Sequence, residues 1–293
     1  MKRLIAVIAA VSAVFGVTSC KGVTIETGIS TNITTEVTMV PEETTMTTIV
    51  ETRTESFTES EQSETTETEE TSATLYAEIE YESISPDWVT DLPQAKDESI
   101  KQLLIVAGYG MDNSSAAVTM HQRNADGTWV QILSTPAYVG KNGLCIDEDH
   151  FEGCGQTPIG VYHFTAAFGI ADDPGCAIPY IRVNDDMYWS GDMREGMHYN
   201  EMVDINDYPD LDLTYSEHLI YYEYQYQYCL NISFNEDGTP GRGSAIFLHC
   251  SGNNPFTGGC VAVPEYIMVQ IMQRVDPDCI VVIDTADNLN VTF

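Results

Sequence analysis

Apolar and polar positions change their period along this chain, and the change divides it. Between residues 21 and 98 there is no period: Thr, Ser and Glu dominate in runs such as Thr44-Thr45-Met46-Thr47-Thr48 and Glu64-Thr65-Thr66-Glu67-Thr68-Glu69-Glu70, and large apolar residues are few. Such a segment buries too little surface to offset its chain entropy, and its carboxylates repel one another. It is expected to be a disordered, extended linker. From residue 99 onward, β-type runs take over. Segments 103–107, 117–120 and 128–133 read as strands, parted by turn signals such as Asn124-Ala125-Asp126-Gly127. The longest strand signal runs over 221–234, where Tyr222, Tyr224, Tyr226 and Tyr228 alternate with Glu223, Gln225 and Gln227 before a turn at Asn235-Glu236-Asp237-Gly238. This tyrosine ladder reads first as one face of an amphipathic sheet and second as a groove lining. Segments 245–249 and 279–284 are apolar and predict central strands. One helix is evident: Ile267, Met268, Ile271, Met272 and Val275 recur at helical spacing behind Pro264, which suits a first helical position. The expected domain over 99–293 is therefore mainly β with few helices.

Ahead of the linker, Met1-Lys2-Arg3 and a short apolar run over 4–17 have the layout of an export signal and fall short of a membrane span. Val17-Thr18-Ser19-Cys20 resembles the lipobox of bacterial lipoproteins, which implies a lipoprotein-type signal peptide over 1–20 whose cleavage leaves a lipidated Cys20 as the new N-terminus, and a membrane-anchored protein facing the cell wall. The formal net charge of -33, with 12 Lys plus Arg, leaves no basic groove for phosphates and argues against nucleic-acid partners. The stretch 179–213, acid-rich over 185–194 and 204–212, has no EF-hand spacing and reads as a long loop insertion beside the site. No metal and no cofactor is expected.

The chemistry gathers at Gly243-Ser244-Ala245-Ile246-Phe247-Leu248-His249-Cys250, followed by Thr257-Gly258-Gly259-Cys260 and Val261-Ala262-Val263-Pro264. An apolar strand ends on a histidine, and a short polar loop later a thiol stands behind two glycines. A cysteine attacks as its thiolate, which an imidazole or a helix N-terminus favours. The glycines admit a sharp turn and the close approach of a carbonyl, and amides of Gly259 and Cys260 then face the oxygen that gains charge. Cys250, next to His249 on a strand, is expected on the opposite face. Of the eight cysteines, Cys145 and Cys154 flank a short acidic loop and are the first pair expected to form a disulfide in an exported protein. A Cys250–Cys260 bridge would silence the thiol.

These blocks resemble the L,D-transpeptidase (YkuD-like) catalytic domains of bacterial cell-wall enzymes, whose motif is a strand-end His, a loop, and Ser/Thr-His-Gly-Cys. Thr257-Gly258-Gly259-Cys260 matches except that Gly258 replaces the second histidine, as in a branch of the family with a small residue there. The resemblance extends over roughly 100–286, through Gly155-Gln156-Thr157-Pro158-Ile159-Gly160, Asp173-Pro174-Gly175 and His198-Tyr199-Asn200. It implies a β-sandwich-type mixed sheet. It also implies Cys260 as nucleophile, His249 as general base and Gly259 as oxyanion amide, acting on peptidoglycan stem peptides through a thioester. His198, Tyr199 and Asn200 would line the substrate pocket, with Thr257 and Gly258 beside the nucleophile and a monomer as the working unit. Arg242, just before the histidine strand, is the best-placed cation for a substrate carboxylate. Alternatives are an L,D-carboxypeptidase using the same site, a sortase-like enzyme built from His198, Cys260 and Arg274, and an inactive wall-binding lipoprotein.

Overall fold

The computed structural model describes residues 83–291; the expected signal segment with Cys20, and the linker up to residue 82, lie outside the described residues. In chain order the strands are β1 (Ser83–Ile84), β2 (Gln102–Gly108), β3 (Ser115–Arg123), β4 (Trp129–Tyr138), β5 (Leu144–Ile146), β6 (Thr157–Gly169) and β7 (Tyr180–Arg182). They continue as β8 (Met187–Trp189), β9 (Met202–Asp204), β10 (Glu217–His218), β11 (Cys229–Ile232), β12 (Phe247–Cys250), β13 (Val261–Val263) and β14 (Ile280–Thr285). The helices are α1 (Asp87–Thr90), α2 (Pro93–Lys96) and α3 (Glu265–Arg274).

The expected mainly β, mixed-sheet fold is present. An eleven-stranded sheet follows the order β1-β4-β13-β12-β11-β6-β14-β2-β3, with β5 and β7 each pairing with β6 off this path, and β3 pairs again with β4, so the path closes on itself. Closure leaves few unpaired edges. The continuous apolar runs become strands buried on both sides: Leu103, Leu104, Ile105 and Val106 of β2 have no exposure, and β2 lies parallel to β14. Helix α3 sets Ile267, Met268, Ile271 and Met272 into the main core with Leu248 and Val263. Each such side chain contributes about 2 kcal/mol through burial.

Several elements differ from expectation. The folded part begins before residue 99: β1 pairs with β4, and Val89 of α1 and Ala95 of α2 pack with Leu103 and Ile105 under a second core. A few apolar anchors in an acidic stretch are enough to dock it, and they leave no periodic signal. Pro264 is the N-cap of α3 rather than its first residue, and its carbonyl accepts the amides of Ile267 and Met268. Strand β13 stands between Cys260 and that helix. A helix dipole fades within its first turn, so it does little for the thiol.

The long tyrosine signal is not one strand. Only Cys229–Ile232 pairs, while 219–221 and 225–227 form single turns of 3-10 helix. The Tyr226 amide bonds back to the Tyr222 carbonyl at 2.8 Å, which sets those two rings on one side and stacks them with centroids 4.5 Å apart. The acid-rich stretch, expected as loop, contributes β8 and β9 to a three-stranded sheet completed by β10. That small sheet is fastened by Trp189 and Leu219, which share a core with Phe168, Phe247 and Cys260.

Candidate active site

Strands β12 and β13 run parallel, with Leu248 level with Val261 and His249 with Ala262. Alternation along β12 sends Phe247 toward the core that holds Cys260, and Leu248 and Cys250 into the main core. Cys250 therefore faces away from the site as expected, its Sγ 3.7 Å from the Tyr228 carbonyl. His249 and Cys260 both line a cavity of about 410 Å³.

The imidazole is oriented by its own neighbour. Nδ1 of His249 lies 2.8 Å from the Cys250 carbonyl. A carbonyl can only accept, so Nδ1 carries the proton and Nε2 is left as the basic nitrogen. Burial pushes the His249 pKa from 6.5 down to about 4, against the raising effect of that carbonyl. The ring is neutral at neutral pH. The edge of Tyr226 approaches it, with centroids 5.6 Å apart.

Burial also pushes the Cys260 thiol well above its ordinary value, and Glu217 raises it further, against the Phe247 amide. Sγ donates to the Ala245 carbonyl at 3.1 Å and accepts the Phe247 amide at 3.4 Å. At rest the site thus holds a neutral thiol and a neutral imidazole, where the sequence suggests a thiolate. Ala245 adopts φ 57, a left-handed conformation that costs a non-glycine residue about 1 kcal/mol or more. Its amide is held by Asn200 Oδ1 at 2.9 Å, so the strain is paired with the contact that aims its carbonyl at the sulfur.

The turn before Cys260 is fixed by a pair of threonines. Thr257 Oγ1 donates to the Cys260 carbonyl at 2.6 Å and accepts the Gly259 amide at 3.1 Å. Thr157 Oγ1 donates to the Gly259 carbonyl at 2.6 Å and accepts the Gly140 amide at 2.9 Å. The Gly259 amide, expected to be free for an oxyanion, is therefore occupied at rest. A Cβ on Gly259 would meet Gln156 O at 3.0 Å and Ile246 Cδ1 at 3.1 Å, so the turn needs glycine there for space. A Cβ on Gly258 would meet nothing within 4 Å. Where the motif elsewhere carries a histidine, this chain has open volume.

The other expected site residues divide. Thr257 and Gly258 line the cavity. Asn200 does not: its Oδ1 accepts from Trp189 Nε1 and Ala245 N, and its Nδ2 donates to the Phe234 and Asn235 carbonyls. It is a clamp with no group left for substrate. Tyr199 stands behind the wall, donating its hydroxyl to the Glu152 carboxylate while accepting the Gly243 amide at 3.1 Å. His198 is turned to Glu201 and Tyr208, at 2.8 Å each, and lies outside the cavity lining. Arg274 sits in the last turn of α3 against Gln270, so the sortase-like trio is not assembled. Arg242 is paired with Asp147 at 2.7 Å and lies over Phe234; among the described residues the lysine or arginine that lines the cavity is Lys141.

Sequence reasoning gave no role to Lys141, Glu152, Thr157 or Glu217, and placed Tyr222 and Tyr226 at a groove only as the second reading. Thr157 belonged to a recognised block without a role. Nothing local marked Glu217, which arrives on the insertion sheet.

All seven described cysteines are free thiols. Cys145, Cys154 and His150 bring their ligand atoms within 4.8 Å of one another, all buried. The expected Cys145–Cys154 pair is thus adjacent and unbonded. Both His150 ring nitrogens are engaged by backbone carbonyls, Nδ1 by Arg242 at 2.8 Å and Nε2 by Gln156 at 3.1 Å.

Residues 113–283 match the family profile described as the L,D-transpeptidase catalytic domain, YkuD. That span runs from just before β3 into β14 and contains both His249 and Cys260. No curated protein and no solved structure matches the chain.

Proposed function

The chain belongs to the L,D-transpeptidase (YkuD) catalytic-domain family, and from that premise we propose that it is a cysteine acyltransferase acting on peptidoglycan stem peptides. The observation that carries this is that Cys260 and a His249 whose tautomer leaves Nε2 basic line one cavity. As the carbonyl carbon before the terminal D-residue of a tetrapeptide stem approaches, Sγ leaves the Ala245 carbonyl and gives its proton to Nε2. Sulfur then bonds to that carbon, and the proton passes to the departing amine of the D-residue. The thioester that remains is resolved by an amine of a second stem, forming a cross-link. If water resolves it, the outcome is L,D-carboxypeptidase activity. The developing oxyanion is received at the turn by the Cys260 amide, joined by that of Gly259 once Thr257 Oγ1 yields it. Lys141, as the cation in the cavity wall, is the counter-charge for the stem's terminal carboxylate.

The test is to incubate the full chain with disaccharide-tetrapeptides under reducing conditions and to follow products and protein by mass spectrometry. Release of the terminal D-amino acid, a transient protein adduct and cross-linked dimers are expected. Intact substrate with no adduct, in spite of binding, would favour an inactive wall-binding protein.

The placement of the enzyme is part of the same proposal: export, lipidation at Cys20, and a membrane-anchored monomer reaching the wall through the 21–98 linker. The basic and apolar segments at 1–17 and Val17-Thr18-Ser19-Cys20 support it. Cys20→Ser should move the protein from the membrane to the soluble fraction; unchanged fractionation would defeat the lipid-anchor reading.

A further inference from the structure

Two carboxyls line the cavity, Glu152 and Glu217, and neither takes part in the acyl-transfer step. Glu217 lines the same cavity as His249 and Cys260, carried there by β10 of the small insertion sheet. Its Oε2 accepts the Tyr226 hydroxyl, and Tyr226 in turn packs edge-on against the His249 ring. Among the described residues no other group bonds to the Glu217 carboxylate, and neither Glu217 nor Glu152 forms an ion pair with lysine or arginine. Glu152 is spoken for by the hydroxyls of Tyr199 and Ser244. Glu217 therefore presents an unshared oxygen beside the nucleophile.

We propose that Glu217 is the receiving site for a primary ammonium, the charged amine of the acceptor, and takes its first proton. This rests on the acyl-transfer reading and deepens it, because it concerns which nucleophile resolves the thioester. An alkylammonium has no lone pair, so transfer needs two proton losses. Glu217 carboxylate accepts one from the ammonium, giving a neutral amine and a carboxylic acid. The amine nitrogen bonds to the thioester carbon, the C–S bond breaks, and the second N–H proton passes through His249 Nε2 to Sγ. Glu217 then returns its proton to solvent. Water carries no charge and forms no ion pair with the carboxylate, so the group favours docking of an ammonium over water.

The titration of Glu217 fits that role. Burial pushes its pKa from 4.5 up to about 7, with Glu152 adding to the rise and the Tyr226 hydrogen bond opposing it. A carboxyl that exchanges its proton near neutrality can serve as acceptor and then reset. An ammonium docked against it also replaces solvation that the cavity has removed.

The test has an arm with chemistry and an arm without. In the full chain loaded with a tetrapeptide donor, acceptors are Nα-acetyl-lysine amide, which carries an ammonium, and hydroxylamine, which is uncharged at neutral pH. Glu217→Gln keeps an oxygen for Tyr226. Because product ratios cancel any change in acylation, the readout is partitioning: the amide-to-hydrolysis ratio with the lysine derivative should fall at least about tenfold and its KM rise, while the hydroxamate-to-hydrolysis ratio is retained. The second arm uses a Cys260→Ala background, which does no chemistry. There, adding Glu217→Gln should weaken binding of Nα-acetyl-lysine amide at least about tenfold, and the norleucine analogue should not discriminate. Equal loss with both acceptors would make Glu217 a positioning residue for His249 and overturn the proposal. So would charge-independent binding. If the wild type releases no D-residue yet the binding arm depends on Glu217, the acyl-transfer reading fails and the ammonium site stands.

Discussion

Cys260→Ala is expected to abolish both the thioester adduct and the release of the terminal D-residue, a loss of at least about 10⁴-fold. No other thiol among the described residues is placed to substitute. Cys250 is one residue from the base, yet β12 turns its sulfur into the main core. Cys154 does line the cavity, but its neighbouring imidazole, His150, has both nitrogens engaged by carbonyls. The substitution itself is mild for the fold: it removes one small buried group and leaves the Ala245 carbonyl without its thiol donor, together about 1–3 kcal/mol. Cys260→Ser, which keeps a donor for Ala245, should be equally inert with better retained stability, and a matching near-ultraviolet circular dichroism spectrum would verify the fold. An adduct surviving in Cys260→Ala would remove Cys260 from its role.

The parts of this site that lie in one local stretch were legible from sequence, and the parts brought from a distance were not. His249, Cys260 and the two glycines sit in one short stretch, and their order on strand, loop and turn follows from alternation and from the need for close approach. The opposite facing of Cys250 followed from the period of a strand alone. By contrast Asn200 was expected at the substrate and instead braces Ala245, because a buried amide surrounded by two donors and two carbonyl acceptors spends its whole capacity on them. Arg242 was the nearest cation in sequence, but its guanidinium is engaged by Asp147, a partner that local sequence gives no sign of.

The tyrosine run illustrates a conflict between periods. Alternation over 222–228 suits a strand, while Tyr222 and Tyr226 at a spacing of four suit a turn of helix. Burial decided it. Tyr226 packs against Phe247 and His249 and donates to Glu217, and a turn lets Tyr222 stack behind it with Tyr221 and Tyr224 left at the surface. The insertion sheet then brings Glu217 to the cavity over a ladder of a few residues, too short for periodicity to register.

His249→Ala should lower kcat/KM by about 10²- to 10⁴-fold, and the pH behaviour of the wild type should reveal why. A preformed thiolate–imidazolium pair needs a thiol held below the imidazole in pKa. Here burial acts the other way on both partners: His249 is pushed down to about 4 and the Cys260 thiol is pushed up. The protonated ring is the inactive form, so activity is present above its pKa and is lost as pH falls through it. The acid limb of kcat/KM is therefore expected near pH 4 and not near 6.5. The alkaline limb should lie above the ordinary thiol range, since losing the proton early leaves none for the departing amine. Between the limbs the profile for release of the D-residue is broad, whereas transfer to an ammonium acceptor should fall as pH drops through about 7 and Glu217 gains its proton. Alkylation of the free enzyme by iodoacetamide, which reads thiolate alone, should be slow at about pH 6 to 7, climb with pH, and change little in His249→Ala. Fast alkylation near pH 6 that disappears in His249→Ala would mean the resting site is an ion pair, and the proton would then have to move before substrate arrives, with the Ala245 carbonyl no longer the thiol's partner.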